Sequence, residues 1–341
     1  MEISGVEDCL QLNVYVPERP LAVDPLPVMV FFHGGGFQCG SGTRYFYGPD
    51  FLLEEDVIYI GANFRLGPLG FLSTESLECP GNNGLKDQNM VLRWIRDNVA
   101  AFGGDPNLVT VFGESAGGAS GTYHMMSPLS KGLFQRVISQ SGVNLDAWAQ
   151  PAHTGVARTR AVQLGEMVGC SEGKNGNIAS MLDCVRKVSA ADVTKTFYDF
   201  FTWDTDPMIP FPPVVEPEHD GAFISKHPRD EMEPHAIGLP WMTGLTMDEG
   251  ALKSAALINV PELRASLNEH WDRALPVSLY YDHHQQDPDS GRQRAITEAI
   301  NRFYFRGQKL IKDTEQNLTN VFLSFFPALL ADVMRKRGRR W

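Results

Sequence analysis

The sequence lacks the features that would place it in or on a membrane or on a nucleic acid. No uninterrupted apolar stretch reaches the roughly 18 residues that a spanning helix needs. Lys and Arg total 30 against 41 Asp and Glu, which gives a net charge of −11. Nucleic acids and anionic membranes are therefore poor partners. Residues 1–8 lack the basic and apolar regions of a signal peptide.

Cysteine is also scarce. Its 5 occurrences are too few for a disulfide scaffold, and the odd number leaves at least one unpaired within the chain. The remaining composition is ordinary for a globular protein with a large core, because 43% of the 341 residues are hydrophobic and 21% are charged. That length allows two average domains, but α/β folds often run longer as one.

The motif that organises the chain is Gly113-Glu114-Ser115-Ala116-Gly117, which follows the apolar run Leu108–Phe112 and precedes small, helix-compatible residues. The order strand, sharp turn, helix is what a nucleophile elbow requires. A serine at the tip of such a turn is exposed, and the first helical turn offers free N–H groups to a developing oxyanion. The alternative is a glycine-rich strand-to-helix turn without chemistry.

A second motif, His33-Gly34-Gly35-Gly36-Phe37, directly follows the buried run Val28–Phe32. Glycines leave backbone N–H groups uncovered, and this HGGG pattern supplies part of the oxyanion hole in lipases and esterases. We interpret His33 as shaping the loop rather than as catalytic. The alternative is a flexible glycine turn.

Further apolar runs at 57–63, 136–140 and 239–244 predict buried strands, and helical periodicity lies between them. Such alternation is typical of an α/β fold with a mostly parallel sheet. Asp248 and Glu249 follow the last of these strands, where the acid of a catalytic triad should lie. The alternative for Glu249 is an exposed loop carboxylate.

Six motifs in one order resemble the type-B carboxylesterases, the α/β-hydrolase family that includes the cholinesterases; they occupy residues 7–10, 33–37, 63–67, 84–88, 113–117 and 248–250. Residues 132–148 and 241–244 are most similar to insect carboxylesterases of the juvenile-hormone-esterase type. The resemblance implies an α/β-hydrolase fold with helices on both faces of the sheet. It covers one domain at 1–320, and 321–341 is expected to be a divergent tail.

The resemblance implies roles for the residues of both motifs. Ser115 would be the nucleophile, and Glu249 the acid that orients a catalytic histidine. Gly35, Gly36 and Ala116 would donate the N–H groups of the oxyanion hole.

The resemblance also implies residues around the site. Ser141 matches a serine near the acid, and Trp148 matches a position that lines the acyl pocket, although core packing explains it equally well. Cys170 and Cys184 would form a disulfide that closes a short loop, and Arg65 would pair with Asp87 beneath the active-site loops. Cys9 is expected to be unpaired.

The family's catalytic histidine lies downstream of the acid, in a G-x-x-H-x-x-E type of loop. His270, His283 and His284 follow Glu249 without that context, and His124 lies too far along the elbow helix. The sequence therefore predicts a fragment that lacks both family termini, the C-terminal part of the fold and the triad's base. Such a chain would be inactive as written, and active if continued into a family C-terminus.

These patterns predict a serine carboxylic-ester hydrolase that forms an acyl-enzyme at Ser115, with a small-molecule ester as substrate and no cofactor or metal. The alternatives are a non-catalytic cholinesterase-like binding or adhesion protein and an ester-sequestering protein. Because the family is mostly secreted, the full-length parent would be extracellular, although a cytoplasmic location stays open. The Asn317 sequon would then be a glycosylation site.

Overall fold

The computed structural model describes residues 3–18, 24–151, 153–228, 238–282 and 291–325. One sheet of 6 strands has the order β1-β3-β2-β4-β5-β6. All neighbours pair in parallel except β1 and β3, which are antiparallel. The strands are β1 Leu12–Tyr15, β2 Leu26–Phe32, β3 Ile58–Ala62, β4 Gly104–Glu114, β5 Arg136–Gln140 and β6 Trp241–Gly244.

The central strands are apolar because both faces of a parallel sheet are covered. Every residue of β3 is buried, and so are Val28, Val30 and Phe32 along one face of β2. These side chains form one core cluster with Leu92 and Ile95 of the helix that precedes β4. Strand β4 lies in the middle of the sheet, where it pairs with β2 and β5.

Helices connect the strands and continue beyond β6. They are α1 Gly67–Phe71, α2 Asn83–Asn98, α3 Ala116–Met126, α4 Val156–Met167, α5 Ile178–Val185, α6 Ala190–Lys195, α7 Ala251–Asn259, α8 Pro261–Glu269, α9 Trp271–Ser278, α10 Arg292–Ile300 and α11 Glu315–Phe325. The order β3, α2, β4, α3, β5 gives crossover connections between parallel strands. The predicted mostly parallel sheet with helices around it is confirmed. Within the described ranges, no helix is long and apolar enough to cross a membrane.

Arg65 and Asp87 form the bidentate pair that the sequence analysis expects. Arg65 Nε and Nη2 donate to Asp87 Oδ2 and Oδ1, each over 2.8 Å. The Arg65 backbone N–H also donates to Oδ2, over 3.0 Å. Asp87 is 8% exposed and lies on α2, so the pair fastens the loop after β3 to that helix. The same loop reaches the glycine motif, because the Gly67 N–H donates to the Phe37 carbonyl over 2.7 Å.

Cys170 and Cys184 form a disulfide, with their Cα atoms 5.6 Å apart. It joins the segment after α4 to α5, where Cys170 packs with Ile178 and Met181 in a small apolar cluster. Cys9, Cys39 and Cys79 carry free thiols.

Helix α11 contains the predicted sequon. Thr319 is 4% exposed, and its hydroxyl is hydrogen-bonded to Ser254 and to the Glu315 carbonyl. The folded chain therefore presents the sequon on a packed helix rather than on an open loop. The same helix runs through residue 320, where the sequence predicts a boundary, and residues 326–341 lie outside the described part.

We predict that Arg65→Leu lowers the free energy of unfolding by about 2 kcal/mol, because it leaves the buried Asp87 carboxylate without its charged donors. Urea denaturation measures the change. Arg96→Leu is the matched control, since Arg96 pairs with Asp97 in the exposed part of α2 and should produce no measurable loss. Equal losses in the two variants would contradict the structural role assigned to the Arg65 pair.

We also predict that replacing both Cys170 and Cys184 by serine lowers the free energy of unfolding by about 3 kcal/mol, since the bridge restricts a short loop of the unfolded chain. Denaturation with and without reductant measures this, and reductant should affect the parent chain but not the double variant. Cys39→Ser serves as the control, because its thiol is free. An unchanged double variant would show that the bridge does not stabilise the fold.

Candidate active site

The elbow is built as its sequence requires. Ser115 lies between β4 and α3 with φ 54° and ψ −121°, a strained conformation for a residue with a side chain. The chain can turn there because a Cβ at Gly113 would lie 2.5 Å from the Phe32 carbonyl oxygen, and one at Gly117 would overlap that oxygen. Only glycine permits this approach to the end of β2. The Ser115 N–H donates to the Gln140 carbonyl over 2.8 Å, which fastens the turn to β5.

The glycine loop lies beside the elbow. A Cβ built on Gly34 would lie 3.2 Å from Ser115 Cβ. Gly35 and Gly36 have φ values of 104° and 61°, which only glycine adopts freely. The Gly35 carbonyl accepts from the N–H groups of Gln38 and Cys39, over 3.0 and 3.1 Å, and these bonds hold the turn closed.

The three N–H groups expected to form the oxyanion hole are unpaired. Within the part of the chain that the structure describes, the N–H groups of Gly35, Gly36 and Ala116 donate no hydrogen bond. Ala116 is the first residue of α3, so the positive end of the helix dipole adds to its N–H. Buried N–H groups are rarely left unpaired unless a ligand meets them. The arrangement suits an anionic oxygen.

Glu249 is held by one carboxylate oxygen and leaves the other free. Its Oε2 accepts from Ser141 Oγ over 3.1 Å, from the Thr246 N–H over 2.9 Å and from Thr246 Oγ1 over 2.8 Å. Its Oε1 accepts no hydrogen bond from any described residue. The Ser141 N–H donates to the Gly244 carbonyl at the end of β6, over 2.8 Å. The acid therefore lies at the carboxyl ends of β5 and β6, on the same side of the sheet as Ser115.

Two further carboxylates, Glu114 and Asp146, lie near Glu249, and its charge disfavours the ionised form of each. Burial raises the pKa of Glu114, and the nearby charge of Glu249 raises it further. Asp146 is 5% exposed, and burial raises its pKa to about 7, although a hydrogen bond from the Val143 N–H opposes the shift. The charge of Glu249 also contributes to the raised pKa of Asp146.

No histidine among the described residues hydrogen-bonds Ser115 or Glu249. His33 is buried against Phe64, with ring centroids 4.4 Å apart, and its Nδ1 lies 2.7 Å from the Gly34 oxygen. His124 lies near the C-terminal end of the elbow helix α3, where its ring nitrogens meet Ser130 and Gln88. Burial lowers its pKa to about 3, so it is neutral at ordinary pH.

Other described histidines have contacts elsewhere. His153 Nδ1 lies 2.9 Å from the Thr154 oxygen, and His219 Nε2 lies 3.1 Å from Glu216 Oε2. His270 ends α8. His283 and His284, the other candidates that follow Glu249, lie outside the described residues.

Trp148 is 4% exposed and lies near Phe37 of the glycine loop, with ring centroids 6.3 Å apart. It belongs to the same apolar cluster as Ala116 and Ile209. Both proposed roles, pocket lining and core packing, are compatible with this position.

Two residues of the site were not anticipated from the sequence. Thr246 supplies two of the hydrogen bonds on Glu249, and Asp146 is a second buried carboxylate on the loop after β5. A threonine three residues before an acid, able to bond it through both hydroxyl and N–H, is the local signal that could have indicated Thr246. For Asp146 the signal is a lone acid within the otherwise uncharged segment 137–157.

Comparison with known proteins shows that the chain matches one protein family. A model described as the Carboxylesterase family matches residues 1–336. Venom carboxylesterase-6 of Apis mellifera is 38% identical over 320 residues, which are 94% of this chain and 56% of the relative. Juvenile hormone esterase of Tribolium castaneum is 38% identical over 329 residues, which are 95% of this chain and 55% of the relative.

Esterase FE4 of Myzus persicae is also 38% identical, over 324 residues that are 94% of this chain and 55% of the relative. The resemblance to insect carboxylesterases is thereby confirmed. The chain spans about half the length of these curated relatives.

We predict that Asp146→Asn removes a pH-dependent loss of stability. The folded carboxyl has a pKa of about 7 against an ordinary value near 3.9, so its contribution is fully present below pH ~4 and is lost as pH rises through about 7. Above that range the variant should be more stable than the parent by an amount on the order of 4 kcal/mol, because an amide cannot ionise. Urea denaturation across this pH range measures the difference.

Asp220→Asn, which changes an exposed aspartate, is the control and should follow the parent at every pH. A constant offset between Asp146→Asn and the parent would mean that Asp146 does not titrate in this range.

Proposed function

Since this chain belongs to the carboxylesterase family, we propose that Ser115 is the acylated nucleophile of a carboxylic-ester hydrolase. The fold is the α/β-hydrolase fold of that family. The observation that carries the proposal is the strained elbow, where Ser115 lies beside the glycine loop and the unpaired N–H groups of Gly35, Gly36 and Ala116.

In the proposed reaction, Ser115 Oγ attacks the ester carbonyl carbon. The carbonyl oxygen becomes an oxyanion that the three N–H groups stabilise, which is where such sites supply most of their rate enhancement. Collapse releases the alcohol and leaves the acyl group on Ser115. Water then attacks the acyl-enzyme, passes through the same oxyanion arrangement, and releases the carboxylic acid.

Glu249 is proposed to orient the base. An acid in a triad accepts the N–H of a neutral imidazole and stabilises the imidazolium that forms. Oε1 of Glu249 is available for that bond, because Ser141 and Thr246 bond only Oε2. No described histidine forms a hydrogen bond with Glu249 or Ser115, so we propose that the described part of the chain does not supply the base. Without a base, serine is a weak nucleophile, and only the residual rate of the oxyanion hole is left.

The non-catalytic alternatives, binding or sequestering esters without turnover, gain no specific support. The serine, the unpaired donors and the positioned acid are all needed only for chemistry on a carbonyl. An extracellular site of action fits the Cys170–Cys184 disulfide, because disulfides persist in oxidising compartments. We therefore propose secretion of the parent protein.

We predict that the purified chain hydrolyses 4-nitrophenyl acetate at no more than the small residual rate that an oxyanion hole gives without a base. A chimera completed with the parts of the Tribolium castaneum esterase that the match leaves out should hydrolyse it readily. Ser115→Ala in that chimera should lower the rate by a factor of about 10⁴ or more.

A fluorophosphonate probe should label Ser115 in the same chimera, as mass spectrometry of peptides would show. Ser180→Ala, which changes an exposed serine at the start of α5, is the control and should keep both rate and labelling. Turnover by the chain alone that disappears in Ser115→Ala would show that the chain carries its own base. A Ser115→Ala chimera that is active although the probe does not label it would refute the role of Ser115 as the nucleophile.

A further inference from the structure

A small cavity lies behind the glycine loop. Ile209 forms one wall, and its other side contacts that loop, because a Cβ on Gly36 would lie 3.2 Å from Ile209 Cδ1. Ala147, the neighbour of Trp148, lines the cavity as well. The cavity has room for about one water-sized group. It is therefore one side chain away from the proposed oxyanion hole.

One wall carries a buried amide without a partner. Gln150 is 8% exposed and lines the cavity, and its Oε1 is inaccessible to solvent and accepts no hydrogen bond. Neither end of its side chain forms a hydrogen bond within the described residues. Because buried polar side chains are nearly always paired, an unpaired amide in a cavity indicates a missing hydrogen-bonding group.

The cavity lining also includes a donor on a strained residue. Tyr280 has φ 56°, which is a genuine outlier for a bulky side chain. Its hydroxyl oxygen accepts the Ile209 N–H over 3.0 Å, so its own O–H remains able to donate. Strain of this kind persists where surrounding contacts hold a residue for a purpose. Here the same hydroxyl positions Ile209, which separates the cavity from Gly36.

A buried cation limits which groups can enter. Arg160 is 9% exposed, lines the cavity, and donates through Nη1 to the Pro210 carbonyl. Its charge disfavours an ammonium group, and the Gln150 oxygen together with the small volume disfavours a carboxylate. A methyl group would fit, but it would leave the Gln150 amide unpaired. A hydroxyl fits the volume, and it both donates and accepts.

We propose that this cavity is a substrate subsite for a hydroxyl group at the far end of one arm of the ester. The hydroxyl would donate to Gln150 Oε1 and accept from the Tyr280 O–H. The substrates would then be hydroxy-substituted carboxylic esters rather than plain alkyl esters. This inference rests on the proposed ester-hydrolase function, and it names the group by which that site selects its substrate.

The test measures binding, so it does not depend on turnover. Two series of esters would be titrated into the purified chain by ligand-observed NMR, one with a terminal hydroxyl on the acyl arm and one with it on the alcohol arm. Each hydroxy ester is paired with its methyl-ended isostere. At one arm length the hydroxy ester should bind about tenfold tighter or more, because a built polar site rejects the analogue that leaves it unpaired. The series in which this occurs identifies the arm.

Variants connect the preference to the cavity. Gln150→Leu and Gln150→Met should both abolish the preference for the hydroxy ester, and either should fold at least as stably as the parent because an unpaired buried amide has been removed. Tyr280→Phe should weaken the preference for the hydroxy ester. Gln308→Leu, at an exposed glutamine, is the control and should leave it unchanged.

Equal binding of every isosteric pair would overturn the inference and leave the cavity as a water site. A preference that survives both Gln150 variants would also overturn the inference. If both variants were in addition less stable than the parent, Gln150 would have a structural role only. These outcomes are independent of Ser115 labelling in the chimera. A labelled Ser115 with no hydroxyl preference refutes only the subsite, and a preference without labelling refutes only the nucleophile.

Discussion

The close packing of the elbow backbone against the end of β2 is the constraint on which the site depends. Gly113 and Gly117 leave no space for side chains where they meet the Phe32 carbonyl, and this contact makes the chain turn sharply enough to strain Ser115. The same contact sets the glycine loop beside the serine, because that loop begins one residue after Phe32. Nucleophile and oxyanion donors are thus positioned by one backbone crossing.

The parts of the site that come from elsewhere need anchors of their own. The bidentate pair of Arg65 and Asp87 fastens the loop after β3 to α2, and that loop in turn bonds the carbonyl of Phe37. At the other side, Ser141 and Thr246 hold one oxygen of Glu249. The Arg65–Asp87 pair and the bonds to Glu249 are charge-assisted contacts, which are directional and therefore suit precise positioning.

Electrostatics at the site is a property of the assembled loops. Burial is the main cause of the raised pKa of Asp146 and of Glu114, and the charge of Glu249, which is distant in sequence, raises both further. Such proximity follows from the way β4, β5 and β6 end at one edge of a parallel sheet. A subsite that combines Gln150 with Tyr280 depends equally on segments that are distant along the chain.

The sequence by itself determined the elements whose cause is local. The apolar runs of β2, β3 and β5, the elbow at Ser115 and the glycine loop are each specified by neighbouring residues, since burial, turn geometry and the freedom of glycine act over a few positions. The pairing of Cys170 with Cys184, and of Arg65 with Asp87, could be predicted only from the family resemblance. The spacing of these residues in the sequence does not identify their partners. The tertiary structure decided what depends on distant segments. It determines which oxygen of Glu249 is held, that Thr246 holds it, and that Asp146 is buried. It also places the unpaired amide of Gln150 and the strained Tyr280 around one cavity behind the oxyanion loop. Those features arise from contacts across the sheet edge, and no local pattern encodes the distance between two loops.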